Sequence, residues 1–106
     1  MTITPSDNIK NEIDEKISDR LISDVIRNRI KLQKKRFHAN DNISDFINPG
    51  ELEHLQKEVA SKVRDLLKSL IIDIENDHNS QETAERVAKM YLREVFKGRY
   101  QKRPTV

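Results

Sequence analysis

The chain has 106 residues and a net charge of +2, with 36% charged and 35% apolar residues. This length allows one small core, and the lean apolar content is typical of a long-helix protein or of one that needs partners. Two glycines and three prolines are too few for a hairpin-rich β fold, and the absence of cysteine excludes disulfides and thiolate zinc ligands. The polar N-terminus and the lack of a long apolar run predict a cytoplasmic protein without a membrane segment.

The N-terminal third carries an apolar residue at every fourth position, which predicts a long helix from about Asn8 to about Phe37, capped by Ser6 or Asp7. A step of four residues exceeds the 3.6-residue turn, so the stripe drifts by about 40° per step and requires more than one packing partner. The positions in the stripe are Ile9, Ile13, Ile17, Leu21 and Val25.

Two turn-forming segments, Asn40–Asn42 and Asn48–Gly50, predict a linker after this helix. Between them Ile43, Phe46 and Ile47 form a small apolar anchor. Residues 1–48 are therefore predicted to comprise the N-terminal helix and the linker, and a new helix is predicted to begin just after Gly50.

Residues 49–100 are predicted to form an antiparallel helical hairpin. The first helix has apolar residues at a mean spacing of 3.6, as expected of a straight amphipathic helix. Its apolar positions are Leu52, Leu55, Val59, Val63, Leu66 and Leu70, widened by Leu67, Ile71 and Ile74. The polar connector of residues 73–80 is short, and a short connector places two helices antiparallel.

For the second helix, Asn79 and Glu82 have the spacing of a capping box, with Ser80 and Thr83 as rival caps. We expect this helix to end at Gly98 and the residues from Arg99 onward to remain unburied. Its expected buried face consists of Ala84, Val87, Ala88, Tyr91 and Val95, extended by Met90, Leu92 and Phe96.

The string TAERVAKMY at Thr83–Tyr91, followed by Glu94–Phe96 and Gly98, resembles the helix that precedes the catalytic domain of GTP cyclohydrolase I. Ala84 departs from that pattern, since the family usually has proline there, a residue suited to the first turn of a helix. The resemblance extends upstream, in order, through Gly50–Glu53, Leu66–Leu67, Ile71–Asp73, Asp77 and Asn79.

The resemblance implies the N-terminal helical, assembly-supporting part of a zinc-dependent hydrolase, which converts GTP to formate and 7,8-dihydroneopterin triphosphate in tetrahydrofolate or other pterin biosynthesis. The family forms a ring-shaped homo-oligomer, and its zinc and GTP sites lie in the catalytic domain, toward which residues 101–106 would lead. We therefore expect this chain alone to be inactive, with no catalytic, cofactor-binding or metal residues, and to associate by helix packing. It would be either a fragment or a naturally short product.

Three other features are candidates for chemistry. His78 lies in a polar connector, and His54 lies near Glu51 and Glu58, arrangements typical of surface residues rather than of a metal site. Six basic residues within ten positions are typical of phosphate-binding segments. They are Arg27, Arg29, Lys31, Lys34, Lys35 and Arg36.

The context of this basic run favours a plainer interpretation. Acidic residues precede it and Phe37 is its only aromatic neighbour. Cations at the C-terminal end of a helix are stabilised by the helix dipole, so nucleic-acid binding is not favoured. The alternative function is a non-catalytic helical interaction module, which binds RNA through residues 27–36 or docks on a full-length homologue as a regulator.

Overall fold

The computed structural model describes residues 21–102. Every regular element in that range is helical, which confirms the all-α prediction. The elements are α1 (Ile22–Leu32), a 3₁₀ turn (Ser44–Phe46), α2 (Glu51–Ser69), α3 (His78–Met90), a π-helical segment (Tyr91–Val95) and α4 (Lys97–Tyr100). The predicted caps Ser6 and Asp7 and the isoleucines Ile9, Ile13 and Ile17 lie outside the described residues.

The prediction of one uninterrupted helix from Asn8 to Phe37 is wrong. Leu21 is extended (φ −67°, ψ 143°), so α1 begins at Ile22, and it ends after Leu32. Apolar periodicity continues across both points, but periodicity reports which face is apolar and not where the backbone bonds stop.

The end of α1 is a Schellman motif built on a lysine. Lys34 is left-handed (φ 53°), its N–H donates to the carbonyl of Lys31, and the N–H of Lys35 donates to the carbonyl of Ile30. These two bonds satisfy terminal carbonyls and turn the chain out of the helix. Glycine usually occupies the left-handed position, so a lysine there gives no stop signal in the sequence.

Ile26, Ile30 and Ile43 form the buried core where α1, the linker and α4 meet. The burial of Ile43 and the contacts of Phe46 and Ile47 confirm the predicted anchor of the linker. The half-buried side chains packed against this core are Ile22, Phe37, Phe46, Ile47 and Tyr100.

α2 begins at Glu51, directly after Gly50 as predicted. Gly50 has φ 85° and ψ −15°, and the N–H of Glu51 donates to the carbonyl of Asn48 at 3.0 Å. These are the features of a type II turn with Pro49 at its second position, and the positive φ at the third position favours glycine. The turn residues alone are therefore sufficient to locate this helix start.

α2 and α3 pack as the predicted antiparallel pair. Arg64 pairs with Glu85 at 2.6 Å, whereas Arg93, further along the chain, contacts Gln56 nearer the start of α2. Three alanines, Ala60 on α2 and Ala84 and Ala88 on α3, have no exposed surface. Small side chains at these positions let the two helices approach closely.

The start of α3 differs from the predicted capping box. Asp77, not Asn79, Ser80 or Thr83, is the N-cap residue, and its carboxylate accepts hydrogen bonds from the N–H of Asn79 and the hydroxyl of Ser80. The Ser80 hydroxyl, followed by backbone N–H groups, lowers the pKa of Asp77. An aspartate in this place satisfies an otherwise unpaired donor and carries a charge that the helix dipole stabilises, so α3 starts earlier than predicted.

The end of this helical body also departs from prediction. The N–H of Phe96 donates to the carbonyl of Tyr91, an i→i−5 bond that widens the turn. The wider turn keeps Leu92 buried, whereas Met90, Tyr91, Val95 and Phe96 are exposed, so the predicted buried face is wrong for these four residues. Gly98 does not end the helix either, because it lies within α4.

Candidate functional site

The linker and the C-terminal segment are joined by a set of side-chain to main-chain hydrogen bonds, here called the clasp and comprising residues 37–44 and 98–101. At its centre the guanidinium of Arg99 donates to three linker carbonyls, those of Phe37 (3.2 Å), His38 and Asp41 (3.1 Å). Five donors in a planar fork suit arginine to binding several carbonyls at once. Arg99 and Tyr100 are half-buried, so the expectation of an unburied tail is wrong for these two residues, whereas Gln101 and Lys102 are exposed.

Asn42 completes the clasp from the linker side. Its Nδ2 donates to the carbonyls of Gly98 (2.9 Å) and Gln101 (2.7 Å), and its Oδ1 accepts from the backbone N–H and the hydroxyl of Ser44. The amide therefore uses both donors and its acceptor, and Ser44 is buried without an unmet polar atom. The clasp thus holds residues 98–101 against the linker.

The basic run does not form a continuous cationic surface. Arg27 pairs with Asp24, Arg29 with Glu51 and Arg36 with Asp41. Half of the six basic side chains thus face a carboxylate, which cancels their charge toward an external phosphate. Lys31, Lys34 and Lys35 are exposed.

The pair of Arg29 and Glu51 joins α1 to the start of α2. The Arg29 guanidinium donates to both carboxylate oxygens and to the carbonyl of Phe46, and the backbone N–H of Asn48 also donates to Glu51. The hydrogen bond from Arg29, opposed by desolvation and aided by the Asn48 N–H, lowers the pKa of Glu51. The carboxylate is therefore engaged in holding the fold and is not available as a metal ligand.

A second charged pair organises the linker. Arg36 donates twice to Asp41, at 2.8 and 2.9 Å, and the N–H of His38 donates to the same carboxylate at 2.7 Å. The Arg36 hydrogen bond, opposed by desolvation and aided by the N–H of His38, lowers the pKa of Asp41 to about 2. This pair borders a cleft of about 520 Å³ that sets three cations against two carboxylates. Its lining residues are Lys35, Arg36, Asp41, Asn42, Ser44, Asp45, Phe46 and Lys102.

The histidines are exposed and separate, with His38 in the linker, His54 on α2 and His78 at the start of α3. Glu58, near His54, instead accepts a hydrogen bond from the N–H of Ser23 at 2.9 Å. Within residues 21–102 no three potential ligands converge on a point where a metal could bind. The described residues therefore do not fit the zinc ion that the family resemblance implies. Nor is any helix in that range both long and apolar enough to cross a membrane.

The segment that carries the family resemblance presents an apolar surface to solvent. Met90, Tyr91, Val95 and Phe96, here called the aromatic patch, are all exposed, and the rings of Tyr91 and Phe96 stack with centroids 6.2 Å apart. The π-helical turn, which spans Tyr91–Val95, brings the rings of Tyr91 and Phe96 together at the surface. Such turns are frequent at functional sites, and clustered exposed apolar residues mark interaction surfaces.

Comparisons of the chain with protein-family models, curated proteins and solved structures gave no match. Sequence reasoning placed the helices around the aromatic patch but missed its exposure and missed the clasp. Arg99 is at least 58 residues from the carbonyls that it binds, and Asn42 is 56 and 59 residues from those that it binds. No local spacing in the sequence signals hydrogen bonds between such distant positions. The only available sign was the preference of asparagine for loops.

Proposed function

We propose that this chain is the N-terminal helical, assembly-supporting part of a GTP cyclohydrolase I, a cytoplasmic homo-oligomer. One observation carries the proposal: the ordered resemblance from Gly50 to Gly98 falls on α2, α3 and the aromatic patch. In that arrangement the alanines of the resembling string pack against α2, while its tyrosine and the following Val95 and Phe96 remain uncovered. A scaffold that packs against the rest of a larger enzyme would expose such a surface.

The catalytic chemistry belongs, on this proposal, to a domain that follows the present residues. Among the described residues no three potential metal ligands converge. The role of this chain is therefore mechanical: the α2–α3 pair supports assembly, and the clasp orients the exit of the chain toward the catalytic domain.

Two measurements test the proposal. The purified chain, supplied with zinc and GTP, should release no formate, and formate release would overturn the assignment of a silent scaffold. The resemblance implies that the zinc of the family is held by a Cys-x-x-His element and a second cysteine, so sequencing the gene beyond the codon for Val106 should reveal both in frame. A long coding sequence after Val106 without these ligands would contradict the proposal that the chain is part of a GTP cyclohydrolase I.

The exposed aromatic patch also favours a second candidate function, a regulator that docks on a full-length homologue. A co-assembly experiment distinguishes this regulator from a scaffold. The tagged chain is refolded together with an untagged full-length GTP cyclohydrolase I, and the products are weighed by native mass spectrometry. A scaffold replaces subunits within the ring, whereas a regulator binds to the intact ring without exchange. Tyr91→Ser with Phe96→Ser should abolish either association, and Leu32→Ser, at an exposed leucine outside the patch, should not.

A further inference from the structure

A small cavity lies where α1, the linker, α2 and α4 meet. Its volume is about 140 Å³. An engineered apolar cavity of roughly 150 Å³ in another protein binds benzene, so this space matches a single aromatic ring. Most of its wall is apolar and is formed by side chains of the core. These apolar residues are Ile26, Ile30, Phe37, Ile43 and Leu55.

The polar side of the cavity is positive. It consists of Ser23, Arg27, Arg99 and Tyr100, of which Arg27 is exposed and the others are half-buried. No acidic residue is among the described residues that line the cavity. Since Arg27 already pairs with Asp24, the charge that a ligand would meet belongs chiefly to Arg99.

The guanidinium of Arg99 has donors left for a ligand. Its bonds to three linker carbonyls use both N–H groups of Nη1 and one of Nη2. Within residues 21–102 the Nε–H and the second N–H of Nη2 are without an acceptor. Arg36 binds both carboxylate oxygens of Asp41 through the same two nitrogens, Nε and Nη2. Arg99 is therefore equipped to bind a carboxylate in the same way, and a charge-assisted pair of this kind is strong.

We propose that this cavity binds a small aromatic carboxylate, with the ring against the apolar wall and the carboxylate accepting hydrogen bonds from Arg99. The apolar wall offers water no hydrogen-bond partner, whereas a ring of matching size gains van der Waals contacts there. Neither α3 nor the aromatic patch contributes to the cavity, so this ligand is independent of the scaffold role.

A bound ligand also stabilises the clasp, because Ile43 and Arg99 belong both to the clasp and to the wall of the cavity. The N–H of Ile43 donates to the carbonyl of Arg99 at 2.8 Å, and it must separate from that carbonyl before it can exchange with solvent. Opening of the clasp takes the cavity apart. At ten times the dissociation constant, the ligand should therefore slow exchange at this N–H about tenfold.

Benzoate and its neutral isostere benzamide test the proposal by NMR titration of the isotope-labelled chain. We expect saturable shifts at the amides of Ile26, Ile30 and Ile43, with a dissociation constant for benzoate of about 1 mM. Benzamide should bind at least about fivefold more weakly, because it lacks the charge that Arg99 recognises. Exchange at the Ile43 N–H should slow as described, and unchanged exchange at saturation would place the ligand outside the cavity.

Two variants with matched controls locate the site. Arg99→Met should bring the affinities for benzoate and benzamide to within about twofold of each other, whereas Lys97→Met should preserve the difference. Ser23→Leu fills the cavity from its polar side and should abolish binding of both compounds. This variant keeps the backbone N–H that donates to Glu58. Ser61→Leu, at an exposed position of α2 outside the cavity, should bind normally.

Three results would overturn the proposal. The first is the absence of saturable shifts up to about 20 mM benzoate, and the second is equal affinity of the unsubstituted chain for benzoate and benzamide. The third is undiminished binding by Ser23→Leu. Nuclear Overhauser contacts between the benzoate ring and the methyl groups of Ile26, Ile30 and Ile43 provide a check that needs no substitution, and contacts to other methyl groups instead would also refute the site.

Discussion

The two halves of α2 have the same apolar spacing but different neighbours. Near its start Leu55 is buried and lines a small cavity together with Ile30, Ile43 and Tyr100, and Glu51 is held by Arg29. Near its end Leu66 and Leu70 remain largely exposed, although α3 runs alongside. The difference teaches that apolar periodicity establishes which face of a helix is available for packing, while segments distant in the chain establish how much of it is used.

The covered half is held by an apolar core and a polar clasp that adjoin each other. Ile43 belongs to both, since its side chain is buried in the core and its N–H donates to the carbonyl of Arg99 at 2.8 Å. Burial of the core therefore depends on a linker and a C-terminal segment that are themselves joined by hydrogen bonds. Substitutions in the core, in the clasp and at the open end of α2 should have effects of decreasing size.

The largest effect is expected for Ile30→Ala in the covered half. Ile30 is 1% exposed and is the largest wholly buried side chain among residues 21–102. Its truncation removes apolar burial and leaves a cavity, so the free energy of unfolding should fall by about 2–5 kcal/mol in urea denaturation. Leu32→Ala, on the same helix at a 74% exposed position, should change it by less than about 0.5 kcal/mol. Similar losses for the two variants would show that this core does not stabilise the covered half.

Arg99→Met comes next, because it removes the donor to three carbonyls and retains most of the apolar stem. The expected loss is about 1–3 kcal/mol in the free energy of unfolding, the range for hydrogen bonds of charged groups. The matched control is Lys97→Met, at an exposed position of the same helix α4. It should leave the free energy of unfolding nearly unchanged. Hydrogen exchange at the N–H of Ile43 should accelerate in the Arg99 variant alone. An unchanged exchange rate at Ile43 would show that the hydrogen bonds of Arg99 do not stabilise the core.

A stabilising change of smaller size is expected at the open end. Ile71 has φ 63° and is 94% exposed, and the N–H of Ile72 donates to the carbonyl of Leu67 in a Schellman motif. Left-handed backbone costs a β-branched residue about 1–2 kcal/mol, which glycine avoids. Ile71→Gly should therefore be more stable than Ile71→Ala by about 1 kcal/mol in urea denaturation. Both variants lose the side chain, so an equal stability would mean that Ile71 bears no backbone strain.

The smallest expected effect is a loss of folding stability at low pH, caused by protonation of Asp41. Because the Arg36 hydrogen bond lowers the pKa of Asp41 from 3.8 to about 2, the folded chain binds fewer protons there than the unfolded chain. The stabilisation is complete above pH 3.8 and is lost as the pH falls toward about 2.

Urea midpoints measured across this range check the effect. The stability difference between the unsubstituted chain and Asp41→Asn should shrink as the pH falls. Asp45→Asn removes a carboxylate of the same linker outside the Arg36 pair and should not reproduce that change. A difference that stays constant with pH would assign the role of Asp41 to hydrogen bonding alone.

The predictions that succeeded depended on local chemistry. Pro49 and Gly50 located the start of α2, and the alanines of α3 marked its packing face, since both signals reside within a few residues. The failures have equally specific causes. Lys34 and Ile71 end helices in a conformation that glycine usually adopts, and the π-helical turn after Met90 rotates Tyr91 and Val95 out of the expected face. The left-handed helix ends and the π-helical turn leave no sign in the spacing of apolar residues, on which the sequence-based predictions depend.

The amino-acid sequence by itself determined the helical class and the antiparallel pair, because these follow from composition, spacing and turn residues. Only the tertiary structure decided that Leu55 is buried and Leu66 exposed, and that Arg99 binds the linker. The physical reason is that burial and side-chain hydrogen bonds are relations between atoms of distant segments, whereas periodicity describes a single helix before it has neighbours.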